Sequence, residues 1–242
     1  MQNSVQIEII GIVRSCYPEK FGIPRQPGLV KSSAGRLELC PGYDREEMVR
    51  GLEGFSHLWI QFLFHEAVEE GWRPTVRPPW LGGQKRVGVF ASRSPHRPNF
   101  MGMSVVRLRG ISVVDGRLGL NLAELDLLDG TPVLDFKPYL PYSDSLPEAT
   151  SGFVRSDEAP QRLVEFTARA QQFCADYEQR TARPLATLIR ETLAQDPRPA
   201  SQRHHSRSYG MTLWDVNIRW QVGADEVFVV DEISGDHVRP PL

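Results

Sequence analysis

The sequence holds only three cysteines, Cys16, Cys40 and Cys174, far apart along the chain. That number and spacing exclude a disulfide framework and a CxxC zinc pattern, and fit a reducing, cytoplasmic setting. No run of about 18 apolar residues occurs, so no membrane-spanning helix is expected. The opening residues Met1-Gln2-Asn3-Ser4 have neither a basic n-region nor a long apolar h-region, so no signal peptide is expected. No GxGxxG follows the first expected strand, no GxSxG elbow occurs, and the histidines show neither HxH nor HxxEH spacing. His57, His65 and His96 lie on separate segments, and no metal site is expected. Gly82-Gly83-Gln84-Lys85-Arg86 lacks the GK[ST] ending of a phosphate loop.

A further absence is local. Residues Gly71 to Val114 contain no aspartate or glutamate but eight arginines and lysines, in a chain whose formal net charge is −2. At the centre stands Arg93-Ser94-Pro95-His96-Arg97-Pro98-Asn99. Each proline removes an N–H and disfavours the helical region for the residue before it, so this is a stiff, donor-rich loop. Such a loop suits phosphates or carboxylates, which accept the planar fork of arginine. Pro24-Arg25-Gln26-Pro27-Gly28 is a second loop of the same kind, or an ordinary surface turn.

Of the 242 residues, 40% are hydrophobic, enough for a core. The first 140 or so read mainly as strands: Val5–Val13, Leu58–Phe64, Val87–Ala91, Gly102–Leu108 and Leu118–Leu122. A short helix is expected at Asp44–Leu52 with Asp44 as its cap. Many strands with few helices indicate a mainly β barrel or curled sheet. The Pro/Ser-rich passage Pro138–Pro147 marks a boundary between residues 1–150 and a small α+β C-terminal domain, 151–242. Leu163, Phe166, Ala170, Phe173 and Tyr177 recur at helical spacing, with Ser156 or Asp157 as cap and Pro160 in the first turn. Pro184–Ala194 reads as a second helix. Tyr209–Trp214, Val216–Val222 and Val227–Val230 read as strands, with a turn at Gly223-Ala224-Asp225.

Glu124 to Tyr139 supplies the acidic counterpart of the basic stretch. Its carboxylates Glu124, Asp126, Asp129 and Asp135 stand among large apolar side chains. They would suit a cationic ligand or a catalytic base, although Asp129-Gly130-Thr131-Pro132 is also a good turn that Asp126 could cap. In a strand, Asp135 and Lys137 share a face. They are either a neighbouring ion pair or a base beside an anion-binding lysine. Toward the C-terminus Arg198, Arg203 and Arg207 occur with His204, His205, Tyr209 and Trp214. These are a solvated loop, or basic groups with interleaved aromatics that hold RNA.

Several blocks occur in order: Phe21–Val30, Arg50-Gly51-Leu52-Glu53-Gly54-Phe55-Ser56-His57-Leu58-Trp59, the loop Arg93–Gly102, Asp129-Gly130-Thr131-Pro132 through Lys137-Pro138-Tyr139, Ala194–Pro199 and Asp215–Trp220. Together they resemble the bacterial tRNA adenine-37 N6-methyltransferases of the TrmO (TsaA, YaeB) type, over nearly the whole chain. The family's RPNPIG pattern stands here as Arg97-Pro98-Asn99-Phe100-Met101-Gly102.

The resemblance implies a single-sheet β-barrel that binds S-adenosylmethionine, a small C-terminal domain that assists tRNA binding, and a homodimer with sites near its interface. It implies N6-methylation of N6-threonylcarbamoyladenosine at position 37, in the anticodon loop of threonine tRNA. Arg25, Gln26, Pro27, Gly28, His65, Glu66, Arg93, Met103, Asp126, Leu127, Leu128, Asp129, Gly130 and Thr131 would surround the methyl donor. Arg97, Asn99, Lys137, Arg198, Arg203 and Arg207 would hold the substrate. Asp135, Tyr139 and Lys137 would carry the chemistry, with Asp135 or Tyr139 as proton acceptor. A non-catalytic RNA-binding barrel explains the basic stretches but gives the acidic cluster no task. A methyltransferase acting on another substrate leaves the arginines from 198 to 207 without one.

Overall fold

A computed structural model describes residues 4–154, 161–199 and 207–235. The elements in chain order are β1 (Gly11–Ser15), β2 (Ala34–Leu39), α1 (Glu46–Val49), β3 (His57–Leu63), β4 (Thr75–Val76), β5 (Val87–Gly88), β6 (Met101–Val114), β7 (Arg117–Ala123), β8 (Pro132–Pro138) and α2 (Pro141–Asp144). β9 (Val164–Phe166), α3 (Ala168–Thr181), α4 (Leu185–Ala194), β10 (Ser208–Leu213), β11 (Val216–Val222) and β12 (Phe228–Ser234) follow.

Six strands form a closed antiparallel barrel in the order β1-β2-β7-β6-β3-β8. Gly11↔Val133 and Ile12↔Pro132 join its ends. Closure removes the free edges that an open sheet would present to other chains. Strand alternation fills the interior. Along β3, Leu58, Ile60 and Phe62 are buried while Trp59, Gln61 and Leu63 point outward. Val13, Leu37, Val106, Leu120 and Val133 meet them inside. A charge is buried at one end: Arg36 donates to Asn121 Oδ1 at 3.1 Å and to the carbonyls of Ser112 and Arg117 at 2.8 and 2.9 Å.

A second core belongs to the C-terminal half. There β10, β11 and β12 pair antiparallel, β9 joins β12 in parallel, and α3 and α4 supply the remaining apolar faces. Cys16, Tyr17 and Val30, from the loop after β1, pack into this second core. Ser32 donates through N and Oγ to Glu191 Oε2 at 2.8 and 2.7 Å, and Thr212 N donates to Glu19 Oε1 at 2.7 Å. The C-terminal unit thus holds the ends of the loop that carries Arg25 and Gln26.

Several sequence expectations change. Val5, Ile7 and Ile9 stay exposed and join no strand, because β2 ends at Leu39, opposite Gly11. The expected strand Val87–Ala91 is two residues of ribbon followed by a 3₁₀ turn at Val89–Ala91. The helix expected from Asp44 is the single turn α1; the Asp44 carboxylate accepts from Gly42 N at 3.0 Å instead of capping it. Leu163 and Phe166 flank or lie in a strand, not a helix, and Thr167 caps α3 by accepting from Ala170 N at 3.3 Å. Ser156, Asp157 and Pro160 lie outside the described residues.

Candidate functional site

A cleft of about 850 Å³ lies on the outer face of β3 and β6, walled by the loop after β1, the basic loop and the β7–β8 connection. Its size falls in the range of small-molecule sites, ~300–1,000 Å³. Arg25, Gln26, His65, Glu66, Arg93, Arg97, Met103, Asp126, Leu127, Leu128 and Thr131 line it.

The β7–β8 connection is built by anchoring alternate side chains. Leu125 and Leu127 are buried in the barrel core, and Ser33 Oγ donates to Leu125 O at 3.2 Å. This leaves Asp126 on the cleft side, where its Oδ1 is buried without a hydrogen-bond partner. Burial pushes the Asp126 carboxyl up from 3.8 to about 6, against the opposing pull of the Ser104 hydroxyl, its own backbone N–H and the Arg93 guanidinium. A carboxylate so placed fits a cationic ligand group. His65 Nδ1 and His96 Nδ1 are two more buried ring nitrogens of the lining without a partner.

Facing Asp126, Arg93 donates to Gln26 Oε1 and Gln26 Nε2 donates to Arg25 O, so the two stiff loops are joined. Arg97 Nη1 donates to Ser92 O at 3.0 Å, which fixes that guanidinium against its own loop. The loop ends in a turn at Phe100, whose φ is +51°, in the left-handed region. Phe100 N donates to Arg97 O at 3.0 Å and its carbonyl accepts from Phe64 N at 2.7 Å. A proline at this position could neither reach that φ nor donate, so the departure from RPNPIG changes the local backbone. Gly102 has to be glycine: a Cβ there would meet the Phe62 ring at 2.3 Å.

The outer wall also holds an ionic cluster. Lys20 reaches Glu66 at 3.2 Å and Glu70 at 3.6 Å, while Arg73 and His96 each stand 3.7 Å from Glu70. The acid-free stretch therefore meets acids from the preceding segment. Beyond it, Arg77, Lys85 and Arg86 are exposed on the arm carrying β4 and β5.

The expected catalytic residues sit beside the cleft and do not line it. On β8, Asp135 pairs with Gln61 and Lys137 with Trp59, and both partners line the cleft. Directly opposite residues of antiparallel strands share a face, so Asp135 and Lys137 belong to the same outer surface. Both are exposed. Asp135 Oδ1 accepts from Phe136 N at 2.9 Å. Tyr139 packs on Trp59 with ring centroids 5.9 Å apart.

Other expected residues are not among the lining. Asp129 and Gly130 stand between two lining residues, Leu128 and Thr131. Asp129 Oδ1 accepts from Ser15 N at 2.9 Å, Asp129 N donates to Tyr17 O at 2.8 Å, and Gly130 holds the turn at φ +80°. These are the contacts of the turn that the sequence offered as one reading of Asp129-Gly130-Thr131-Pro132. Pro27 and Gly28 form the back of their loop, where Gly28 N donates to Glu124 O at 3.0 Å. Asn99 is exposed and lies outside the lining.

Arg198 is buried, forked onto Asp196 through Nε and Nη2 at 2.8 and 2.9 Å, with its guanidinium 4.7 Å over the Phe228 ring. It is structural and out of reach of an RNA surface. Arg207 is exposed, 5.0 Å over the Tyr209 ring. Arg203 lies outside the described residues. Among the described residues no three His, Cys, Asp or Glu side chains group to hold a metal ion, and no helix is long and apolar enough to cross a membrane.

Trp59, Gln61, Ser104, Lys20 and Glu70 line the cleft without having been singled out in the sequence. The period-2 alternation of β3 carries the signal for the first two: with Leu58, Ile60 and Phe62 inside, Trp59 and Gln61 must face out.

Comparison with known proteins gives a consistent picture. The model of the tRNA-methyltransferase O N-terminal domain matches residues 12–145, and that of the TrmO C-terminal domain matches residues 159–234. A tRNA (adenine(37)-N6)-methyltransferase of Escherichia coli is 50% identical over 233 residues, 95% of this chain and 99% of the relative. A putative S-adenosylmethionine-dependent methyltransferase of Pseudomonas aeruginosa, RcsF, is 47% identical over 227 residues, 93% of this chain and 96% of the relative. A crystal structure of TrmO from Pseudomonas aeruginosa superimposes with a TM-score of 0.81 at 41% identity, covering 97% of this chain and all of that one.

Proposed function

The chain belongs to the TrmO family, and from that premise we propose that it methylates N6 of adenosine 37 in tRNA with S-adenosylmethionine as donor. The acceptor in this reading is N6-threonylcarbamoyladenosine in threonine tRNA. The observation that carries it is the cleft between the buried Asp126 carboxylate, whose Oδ1 has no hydrogen-bond partner, and the Arg93–Gln26–Arg25 wall, with Asp135 and Lys137 on the adjoining strand face.

The residues present fit the donor. It carries an ammonium, a sulfonium and a carboxylate. Asp126 meets the need of a cation for a buried acceptor, and Arg25 or Arg93 that of the carboxylate. When bound, S-adenosylmethionine supplies an electrophilic methyl on sulfur and leaves as a neutral thioether. His65, Met103, Leu127, Leu128 and Thr131 shape the rest of its cleft, and Glu66 is tied to the outer wall through Lys20.

The acceptor approaches from the exposed face of β8. Its threonyl carboxylate pairs with Lys137 or Arg97. An adenosine without that group leaves the cation unpaired, which gives selectivity. N6 of the urea-like group is weakly nucleophilic until its proton leaves. Asp135 accepts that proton, with Tyr139 as the second candidate, while the walls hold N6 in line with the methyl. Arg77, Lys85, Arg86 and Arg207 are exposed cations for backbone phosphates, which carry no sequence information. Asn99 contacts the base or urea oxygen in this reading. A homodimer in the cytoplasm completes it; Val5, Ile7, Trp72 and Phe90 are large apolar side chains left exposed that a second copy would cover.

The test is direct. Purified protein with labelled S-adenosylmethionine and tRNA should transfer label to adenosine 37. Calorimetric binding of S-adenosylmethionine without any methyl transfer to tRNA would overturn the proposal.

A further inference from the structure

Along β3 the cleft lining runs from Trp59 through Leu63 and on to Ala67, so Trp59 marks one limit of the cleft, with His65 toward the other. The indole is unusually well fixed for a side chain on an outer barrel face. Its Nε1 donates to Asp144 Oδ2 at 2.9 Å, and the same oxygen accepts from Leu140 N at 2.9 Å. Tyr139 packs at 5.9 Å with an interplanar angle of 48°. The Asp144 carboxyl is held below the usual carboxylate range by the Leu140 N–H and the Trp59 indole N–H, with Lys137 adding to both, so the lock is ionised at neutral pH.

We propose that Trp59 is the stacking platform for the target nucleobase, and that Asp144 is the positioning residue that sets its orientation. The proposal rests on the reading above that the substrate is an RNA.

Three observations carry it. First, the ring's single hydrogen-bond donor is already used by Asp144, so it offers an incoming group its aromatic surface and no hydrogen bond. Such a contact accepts any base and leaves discrimination to Lys137 and Asp135. Second, Trp59 stands directly opposite Lys137, and Gln61, two residues on, opposite Asp135. A base laid on the indole lies beside the groups that would hold its carboxylate and take its proton. Third, the groups that complement the donor's charges, Asp126 and Arg93, belong to other walls of the cleft. A ring fixed in advance loses little freedom on binding, so stacking contributes more fully to affinity.

The test uses the full chain with Trp59→Ala, Trp59→Phe, Asp144→Ala and Asp144→Asn. Affinity for an anticodon stem-loop RNA is measured by fluorescence anisotropy, affinity for S-adenosylmethionine by calorimetry, and KM and kcat on tRNA. Trp59→Ala should weaken RNA binding and raise KM roughly tenfold or more, with S-adenosylmethionine affinity held within about twofold. Trp59→Phe should recover most of the loss, because it keeps an aromatic face. Asp144→Ala, which keeps the indole but frees its orientation, should raise KM more than it lowers kcat. Asp144→Asn, which keeps an acceptor oxygen, should fall between Asp144→Ala and the unaltered chain.

Parallel loss of S-adenosylmethionine and RNA affinity would overturn the proposal and assign the ring to the donor. So would unchanged RNA affinity and KM in both Trp59→Ala and Asp144→Ala. If the unaltered protein neither binds the stem-loop nor methylates tRNA, the tRNA reading itself falls, and that result is distinct from a fully active protein whose variants bind RNA normally.

Discussion

Gln61 on β3 and Asp135 on β8 stand directly opposite one another, and the ladder slips immediately after them, between Gln61 and Phe62. That bulge leaves one extra β8 residue before Val133 meets Phe62. Bulges bend the bulged strand and re-aim its side chains, and they are frequent beside active sites. Here the irregularity lies where the buried interior of the barrel, the cleft and the exposed carboxylate meet. Gln61 belongs to the cleft lining and Asp135 to the surface an acceptor reaches from solvent.

Asp135→Asn keeps the shape of the face and removes the proton acceptor. Turnover on tRNA should fall by about two orders of magnitude, within the usual worth of a positioned general base. S-adenosylmethionine affinity should stay unchanged, because Asp135 does not line the cleft. Near-normal turnover would remove Asp135 from the role and leave Tyr139, or alignment alone.

Asp126 gives a pH signature. Its folded carboxyl titrates at about 6, above the ordinary 3.8. Between those values the folded protein holds a proton the unfolded chain has lost, so the contribution of Asp126 to stability falls as pH rises through this window and is level above it. Donor affinity runs the other way: protonation below about pH 6 removes the charge that meets the cation. Calorimetric S-adenosylmethionine affinity should therefore weaken as pH drops below 6 and be constant above 7. In Asp126→Asn it should be weak at every pH and lose this dependence. An unchanged pH profile in that variant would assign the titration elsewhere.

Lys137→Ala should weaken binding of threonylcarbamoylated tRNA more than binding of unmodified tRNA, by a factor of about ten, the worth of one charge-assisted pair. Arg97→Ala should act in the same direction with an added loss, since its Nη1 also supports Ser92 O. Equal weakening on both tRNAs would identify a phosphate contact, visible as a smaller salt dependence.

Arg198→Leu should act on folding and not on RNA. Removing Arg198 takes one cation from the buried Asp196 and leaves Arg162 Nε at 3.3 Å from it, so the loss should lie at or below the ~3–5 kcal/mol of a fully broken buried pair. Chemical denaturation should record that loss. RNA affinity per folded molecule should stay the same at low temperature. Selective loss of RNA binding without loss of stability would return Arg198 to the substrate surface.

The part of this structure legible in the sequence was the part set by local pattern. The strand Val216–Val222 was read to the residue, because one strictly alternating face is buried. The two carboxylates Asp126 and Asp129 were not separable by sequence. Their difference rests on Ser15, 114 residues away from Asp129, whose N–H takes that carboxylate, whereas Asp126 keeps a buried Oδ1 without a hydrogen-bond partner in the cleft lining. Leu163 and Phe166 fit helical spacing, but a nonlocal partner decides their conformation: Val164–Phe166 pairs in parallel with Phe228–Val230. Arg198 lies in a basic segment and looks like a surface group until the fold places Asp196, Phe228 and Tyr209 around it. Trp59 and Gln61 follow from the alternation of β3, which the run Leu58–Phe64 masks because Trp59 and Leu63 on its outer face are themselves apolar.

The central claim is that this cleft delivers a methyl group to a carboxylate-bearing adenosine. It is tested most directly by methyl transfer from labelled S-adenosylmethionine to threonine tRNA prepared with and without the threonylcarbamoyl group, followed by mass spectrometry of the nucleosides. The account predicts one added methyl on the modified adenosine at position 37 and little or none on the unmodified tRNA. Equal methylation of both, or methylation at another nucleoside, would contradict it.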